Sequence, residues 1–214
     1  MASTYTATSK IIIIGSGVVG AALADELTQR GAQDVTVVDQ GPLFKTGGSS
    51  SHAPGFVFQI NPSKAMSELA QRTLKKLDEL DPGDDDNWIL KRVGGIELAY
   101  TDEQMRELKR RHGFAQSWGV ESKLLDAAGV SALWPSIHTE DLVGGLHTPT
   151  DAVVHSVRAV TAQAKRAIDH GAVFHEYTQV IDLVVEDGAV SGVKVVDGMT
   201  GENERVLEAD IVVA

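Results

Sequence analysis

The feature that most constrains the fold is a glycine-rich turn between an apolar run and a helical pattern. The run Lys10–Ile14 is β-branched after its first residue, which is typical of a buried parallel strand. Gly15-Ser-Gly17-Val-Val-Gly20 follows it and opens a helical pattern over residues 18–30. A second apolar run, Val35–Val38, then ends at Asp39. This order predicts a right-handed β-α-β unit.

Each glycine of the turn has its own physical task. Gly15 permits the tight turn, Gly17 lets the backbone approach a pyrophosphate, and Gly20 lets the helix pack closely on the strand. The helix N-terminus, with the N–H groups of Val18 and Val19, suits negative charge. The turn therefore predicts a dinucleotide-binding site, against the alternative of a strand–helix turn that binds no ligand.

The residues after the turn indicate which dinucleotide is bound. The carboxylate of Asp39, at the end of the second strand, is placed to accept hydrogen bonds from ribose hydroxyls, and it disfavours the 2′-phosphate of NADP. The glycine motif alone does not separate NAD from FAD. The loop over residues 40–55 is longer and richer in glycine than an ordinary helix connection. Such a loop suits the larger cofactor, FAD.

Several segments taken together resemble one family. They are the glycine turn, Asp39-Gln-Gly41, Gly47-Gly-Ser-Ser-Ser-His-Ala-Pro-Gly55, Val93–Leu98 and Gly144–Pro149. The combination is similar to the flavin-dependent N-methylglycine oxidoreductases, which include dimethylglycine oxidase and the sarcosine and dimethylglycine dehydrogenases. The likeness spans nearly the whole chain, and its most specific piece is the segment over residues 49–55.

The resemblance implies an α/β fold, an FAD-binding Rossmann-like domain of the amino-acid-oxidase type that is interrupted by the start of a substrate domain. It also implies that the flavin is bonded covalently to His52, and that the full-length protein has a tetrahydrofolate site. Together with the turn, the cofactor-binding residues are expected to be Gly15, Gly17, Val18, Val19, Gly20, Asp39, Gln40, Gly47, Gly48, Ser49, Ser50, Ser51, His52, Phe56 and Val180.

The implied reaction is oxidation of a secondary or tertiary N-methyl amine, such as dimethylglycine or sarcosine, by hydride transfer to the flavin. The product would be an iminium ion that water or tetrahydrofolate intercepts. Members of the family are several hundred residues longer, so the catalytic side chains are expected beyond residue 214. Two alternatives stay open: a regulatory relative that binds FAD without amine turnover, and a module that holds FAD without chemistry. The sequence does not separate an oxidase from a dehydrogenase.

The sequence also predicts domain boundaries within the chain. The acidic segment Asp81–Asn87 interrupts the helical pattern and is the best of them. The sequence predicts a disordered start over 1–9, an FAD-binding part over 10–87, a substrate-domain segment over 88–148, and a second FAD-binding part over 149–214. The last residues, Asp210–Ala214, form an apolar run without a turn after it. We therefore expect a truncated product or a fragment, with poor solubility.

Composition excludes several classes of function. The chain has 30 acidic and 19 basic residues and a formal net charge of −11, which argues against nucleic acid and anionic membrane as partners. It has no cysteine, so a thiolate nucleophile is excluded. Its seven histidines lack the spacing of a metal site, and no metal is expected. The polar start lacks the pattern of a secretory signal, so a cytoplasmic location is expected.

The remaining patterns predict secondary structure. Helices are expected from Ser63 to about Leu80, from the Thr101–Gln104 capping box to about Trp118, near residues 126–133, and from Ser156. Strands are expected at Ile96–Tyr100, Val180–Glu186, Val190–Val196, Arg205–Leu207 and Asp210–Ala214, with turns at Asp187-Gly188 and Asp197-Gly198. The rest of residues 119–150 is expected to be irregular. The basic run Lys109-Arg-Arg111 is interpreted as a solvated helix face.

Overall fold

The structure is a computed structural model, and it describes residues 6–45 and 48–214. The described residues form six helices: α1 (Val18–Gln29), α2 (Ser49–His52), α3 (Lys64–Leu80), α4 (Asp102–Ser117), α5 (Ala127–Leu133) and α6 (Ser156–Asp169). The strands are β1 (Lys10–Ile14), β2 (Asp34–Val38), β3 (Phe56–Val57), β4 (Leu90–Arg92), β5 (Gly95–Ala99), β6 (Lys123–Leu125), β7 (Gly144–Thr148), β8 (Ala152–Val154), β9 (Val173–His175), β10 (Thr178–Glu186), β11 (Ala189–Asp197), β12 (Arg205–Glu208) and β13 (Ile211–Val213).

The chain divides into two compact units. Unit 1 consists of the described part of Met1–Pro54 together with Ser156–Ala214, and unit 2 consists of Gly55–His155. The predicted domain boundaries at residues 87/88 and 148/149 stay a prediction about the family's domains. The compact units divide elsewhere because α3 contacts β4 and so belongs to unit 2.

Unit 1 contains a four-stranded parallel sheet in the order β13-β1-β2-β9. The predicted β-α-β unit is confirmed, with Ile13 paired with Val37 in neighbouring strands. Both strands are apolar because both faces of a parallel sheet are covered. Their side chains form one core with Ala24 of α1 and Ala167 of α6, in which every member is at most 5% exposed.

A buried ion pair joins α1 to α6. The carboxylate of Asp25, which is 0% exposed, accepts hydrogen bonds from Nε and Nη2 of Arg166 at 2.7 Å each. This bidentate geometry compensates a charge that would be costly to bury alone. Asp25 was not singled out from the sequence, because its partner is 141 residues away.

Unit 1 also has an antiparallel sheet of β10, β11 and β12. The predicted hairpin turn is confirmed, since Asp187 and Gly188 have φ angles of 50° and 79°. The second predicted turn is a longer loop, over residues 198–204, which Asp197 begins by accepting the N–H groups of Met199 and Thr200 at 2.9 Å. Gly192 is required here, because a Cβ atom would lie 2.4 Å from the carbonyl oxygen of Leu207.

Unit 2 contains two three-stranded antiparallel sheets, β3-β8-β4 and β5-β7-β6. Helices α3 and α4 begin at the predicted caps: Ser63 Oγ accepts from Met66 N at 3.3 Å, and Thr101 Oγ1 accepts from Gln104 N at 3.1 Å. The reciprocal bond of the second box goes from Tyr100 N to Gln104 Oε1 at 2.7 Å. Tyr100 is therefore part of this cap, and β5 ends one residue before it.

Two predictions for unit 2 are wrong. Residues 119–150 are not irregular outside the short helix, since they contain β6 and β7. The signal was weak because β7 begins with two glycines, and these are needed for close packing: a Cβ on Gly144 would lie 2.4 Å from the carbonyl oxygen of Leu125. The basic run on α4 is not wholly a solvated face either. Arg111 is paired with Glu97 and donates to the carbonyl oxygen of Ile60 at 2.9 Å.

Candidate functional site

The candidate site is a cavity in unit 1 at the carboxyl ends of β1 and β2. We call it the glycine-turn cavity, and its volume is about 670 Å³. Open α/β sheets bind their ligands at this edge of the sheet. It is lined by Ile14, Gly15, Gly17, Val18, Val19, Gly20, Asp39, Gln40, Gly41, Pro42, Gly48, Ser49 and Ser50. The structure thus brings together ten of the residues that the sequence analysis named.

The glycines have the tasks that were expected of them. Gly15 has a φ angle of 101°, which an L side chain rarely adopts. A Cβ atom on Gly20 would lie 1.9 Å from the carbonyl oxygen of Gly15. At Gly17 a Cβ would meet only Ser50 Oγ, at 3.4 Å, which is ordinary contact. The protein's own packing therefore does not require glycine at position 17. A ligand that lies close against this backbone would require it.

The N-terminus of α1 opens into the cavity. Val18 N donates to the hydroxyl of Ser50 at 3.0 Å, so a side chain of the following loop already uses one of the free N–H groups. Val19 is 77% exposed. The first N–H groups of a helix attract phosphate because they have no partner within the helix. A pyrophosphate bound here would compete with the hydroxyl of Ser50 for the hydrogen bond that Val18 N donates.

Asp39 is held in a fixed orientation at the end of β2. Its Oδ2 accepts from the backbone N and the Oγ of Ser16, both at 2.7 Å, and its Oδ1 accepts from Gly41 N at 2.9 Å. A carboxylate accepts about four hydrogen bonds, so one place on Oδ1 is left for a ligand hydroxyl. The arrangement suits a ribose, as the spacing in the sequence predicted.

The chain after Asp39 is tied to the antiparallel sheet of unit 1. Thr178 N donates to the carbonyl oxygen of Asp39 at 2.7 Å, and a Cβ on Gly198 would lie 2.5 Å from the carbonyl oxygen of Gln40. A second cavity of about 280 Å³ lies here, and Asp39, Gln40 and Val180 are among its lining residues. Val180 thus lies next to the proposed ribose end.

The short helix α2 carries Ser51 and His52. His52 is exposed, and its Nδ1 lies 3.0 Å from the carbonyl oxygen of Gly48 and 3.1 Å from Ser51 Oγ. Neither residue is among those that line the glycine-turn cavity. Phe56 belongs to unit 2 and lines a different cavity there, and Gly47 lies outside the described residues.

Sequence reasoning missed the residues that orient Asp39. Ser16 is 1% exposed and supplies two of its three hydrogen bonds. Its place inside the glycine motif was visible, but nothing in the spacing showed that its hydroxyl faces a residue 23 positions away. Gly41 was visible only as part of a turn-like segment.

A comparison with models of protein families matches residues 10–214 to the family described as FAD dependent oxidoreductase. The chain belongs to this family. The predicted fold class is thereby confirmed, and FAD is the cofactor that family membership implies. The residues present fit such a cofactor, because the glycine turn leaves backbone N–H groups open where its pyrophosphate would lie and Asp39 keeps one acceptor place for its ribose.

The chain is also similar to several known proteins. The pyruvate dehydrogenase phosphatase regulatory subunit of Mus musculus is 29% identical over 88% of this chain and 21% of its own length. Sarcosine dehydrogenase of Mus musculus is 27% identical over 88% of this chain and 19% of its own length. The solved L-proline dehydrogenase from P. horikoshii has a TM-score of 0.83 at 27% identity, over 96% of this chain and 52% of its own. The chain thus spans about a fifth of these curated relatives and about half of this solved structure.

Among the described residues, no helix is both long and apolar enough to cross a bilayer.

Proposed function

We propose that this chain is the cofactor-binding part of an FAD-dependent enzyme that oxidises secondary or tertiary N-methyl amines, such as sarcosine or dimethylglycine. The observation that carries the proposal is a glycine-turn cavity with an oriented Asp39, in a chain that is 27% identical to a sarcosine dehydrogenase. Amine oxidation is favoured over other flavin reactions by this likeness together with the segment over residues 49–55.

The residues of unit 1 would hold the cofactor along its length. Gly15 and Gly17 admit the pyrophosphate to the N-terminus of α1, and Asp39 accepts a ribose hydroxyl. Val180 and Gln40 would border the adenosine. Bound FAD would supply the acceptor for a hydride from the N-methyl carbon of the amine, and water or tetrahydrofolate would intercept the resulting iminium ion. The protein's part here is to fix the position of the cofactor.

A covalent bond between His52 and the flavin belongs to the same proposal. The hydrogen bonds around His52 support it: Nδ1 lies beside two oxygens, and Nε2 has no hydrogen-bond partner among the described residues. In the tautomer with its proton on Nδ1, the ring would donate to the carbonyl oxygen of Gly48, and Nε2 would keep the lone pair that a nucleophile needs. Ser51 would orient the ring by its contact with Nδ1.

A regulatory role is the second candidate. It is favoured by the identity of 29% to the pyruvate dehydrogenase phosphatase regulatory subunit. Such a protein would keep the FAD site and lack amine turnover. For either role we propose a small-molecule ligand rather than nucleic acid or membrane, a cytoplasmic location, and a tetrahydrofolate site in the full-length protein.

The deciding experiment is anaerobic reduction of the full-length protein. Its flavin absorbance is followed while sarcosine, dimethylglycine or proline is added. Bleaching by the N-methyl amines and not by proline supports the proposed enzyme. Bound flavin that none of these amines reduces, although dithionite does, would favour the regulatory role. If proline bleaches the flavin faster than the N-methyl amines do, N-methyl amines are the wrong substrate class.

A further inference from the structure

Unit 2 contains a cavity that the proposed function does not use. Its volume is about 380 Å³, at the small end of the range for ligand pockets. We call it the Asp151 cavity. The residues that give it its chemistry are Phe56, Phe58, Gly95, Glu97, Arg111 and Asp151, and all of them belong to unit 2.

Asp151 is a buried carboxylate with one oxygen in use. The residue is 4% exposed, and its Oδ1 accepts from Gln59 N at 2.9 Å and from Gln59 Nε2 at 3.5 Å. Its Oδ2 receives no hydrogen bond from the described residues. Burial raises the pKa of Asp151 to about 6, while the bonds from Gln59 oppose the rise and the charge of Glu97 adds to it. A carboxylate buried without a counter-ion costs stability, and a carboxyl group perturbed in this way inside a cavity is a candidate for binding a cation.

Gly95 lets the Asp151 carboxylate and the ring of Phe56 approach each other closely. A Cβ atom at position 95 would lie 2.7 Å from Asp151 Oδ2 and 2.9 Å from Phe56 Cζ, which is closer than a Cβ atom can come to either. The free oxygen and the aromatic ring thus both pack against this glycine, and all three residues line the cavity.

The charges around the cavity leave one negative charge unmatched. Arg111 is paired with Glu97, and it also donates to the carbonyl oxygen of Ile60 at 2.9 Å. These two charges compensate each other. Ionised Asp151 then gives the cavity lining a net charge of −1.

Two aromatic rings complete the lining. The ring centroids of Phe56 and Phe58 are 5.9 Å apart at an interplanar angle of 47°, and the residues are 44% and 51% exposed. Aromatic faces attract cations, and alkylated ammonium ions in particular. A carboxylate beside such rings suits an organic cation better than a metal ion, which would need several oxygen ligands.

We propose that the Asp151 cavity binds a small alkylated ammonium ion, with Asp151 as its counter-ion and the rings of Phe56 and Phe58 against its alkyl groups. Amines of this class include the substrates of the proposed reaction, but the inference rests on the cavity alone and does not depend on FAD binding.

The test is direct binding to the 214-residue chain. The probes are choline and its uncharged carbon analogue, 3,3-dimethylbutan-1-ol, and binding is measured by calorimetry and by shifts of backbone amide resonances. We expect choline to bind at least about tenfold more tightly than the analogue, with shifts at Phe58, Gly95 and Asp151. Asp151→Asn should weaken choline binding on the order of tenfold or more, and Phe58→Leu, which keeps apolar volume without the ring, about two- to thirtyfold.

Matched controls are Asp141→Asn, at an exposed carboxylate, and Phe114→Ala, at a ring that stacks on Trp118 outside the cavity. Both should bind choline as the unmodified chain does. Equal affinity for choline and its analogue, no saturable binding of choline, or unchanged affinity in folded Asp151→Asn would each overturn the proposal. If Asp151→Asn does not fold, Phe58→Leu and the comparison of the two probes still decide it. If the unmodified chain binds choline but does not bind FAD, the result counts against the proposed function and not against this inference.

Discussion

A Cβ atom on Gly20 would lie 1.9 Å from the carbonyl oxygen of Gly15, so helix α1 and the glycine turn approach each other more closely than any side chain allows. The closest approach is to backbone, which cannot rotate away as a flexible side chain could. The pair thereby fixes where the N-terminus of α1 points, and with it the phosphate end of the cavity.

Gly20→Ala should therefore destabilise the chain. Overpacking of this kind costs about 1–3 kcal/mol, and here the backbone of the turn must move. Urea denaturation followed by circular dichroism measures the change. The control is Gly113→Ala, inside α4, where an added Cβ meets no atom within 4 Å apart from the helix's own nearby backbone. That variant should gain up to about 1 kcal/mol, since alanine favours a helix over glycine. Equal effects at the two positions would contradict the packing argument.

Asp39→Ala should weaken FAD binding about ten- to a hundredfold. A hydrogen bond to a charged acceptor contributes about 1.5–3 kcal/mol, and the substitution also frees Ser16, which now orients the site. Fluorescence titration with FAD measures the affinity. Asp34→Ala is the control, because Asp34 is exposed at the opposite end of the same strand. Both variants are made on a His52→Ala background, so that no covalent bond can retain the flavin. If FAD then stays bound through dialysis in Asp39→Ala as it does when Asp39 is unchanged, the ribose assignment is lost.

The covalent bond between His52 and the flavin can be tested by whether the flavin stays with the denatured protein. The full-length protein is denatured in acid and centrifuged. We expect yellow colour in the pellet for the unmodified protein and in the supernatant for His52→Ala, because only a covalent bond survives denaturation. His170→Ala, at another exposed histidine, should keep the colour in the pellet. Free FAD released from the unmodified protein would rule out the bond.

Asp151 should make stability depend on pH. Its pKa is raised from 3.8 to about 6, so between these values the folded state binds more protons than the unfolded state. Stability therefore falls as pH rises through this window. The full rise corresponds to on the order of 3 kcal/mol, and the net effect after solvent screening is about 1–2 kcal/mol.

Asp151→Asn removes this titration and keeps an acceptor for Gln59. Its unfolding free energy should exceed that of the unmodified chain by about 1–2 kcal/mol at pH 8, and the gain should vanish near pH 4. Urea denaturation at the two pH values measures it, with Asp141→Asn as the control. The same gain at both pH values would show that the carboxyl group of Asp151 does not titrate as described.

The local patterns of the sequence determined the part of the fold that holds the candidate cofactor site. The glycine turn, the strands on either side of α1, and Asp39 could be predicted directly, because each depends on neighbours in the chain: a φ angle that favours glycine, a continuous run of apolar residues, a fixed spacing. The helix caps at Ser63 and Thr101 were predicted for the same reason.

Pairing between distant residues was decided only by the tertiary structure. The partner of Arg111 on α4 is Glu97 on a neighbouring strand, and the partner of Asp25 is 141 residues away. In the sequence, Arg111 belonged to a basic run, and Asp151 was not singled out. Burial decides the properties of Arg111 and Asp151. Folding removes water from around a charged side chain, and only then does the charge cost stability, need a partner or change its pKa. No local pattern contains that information.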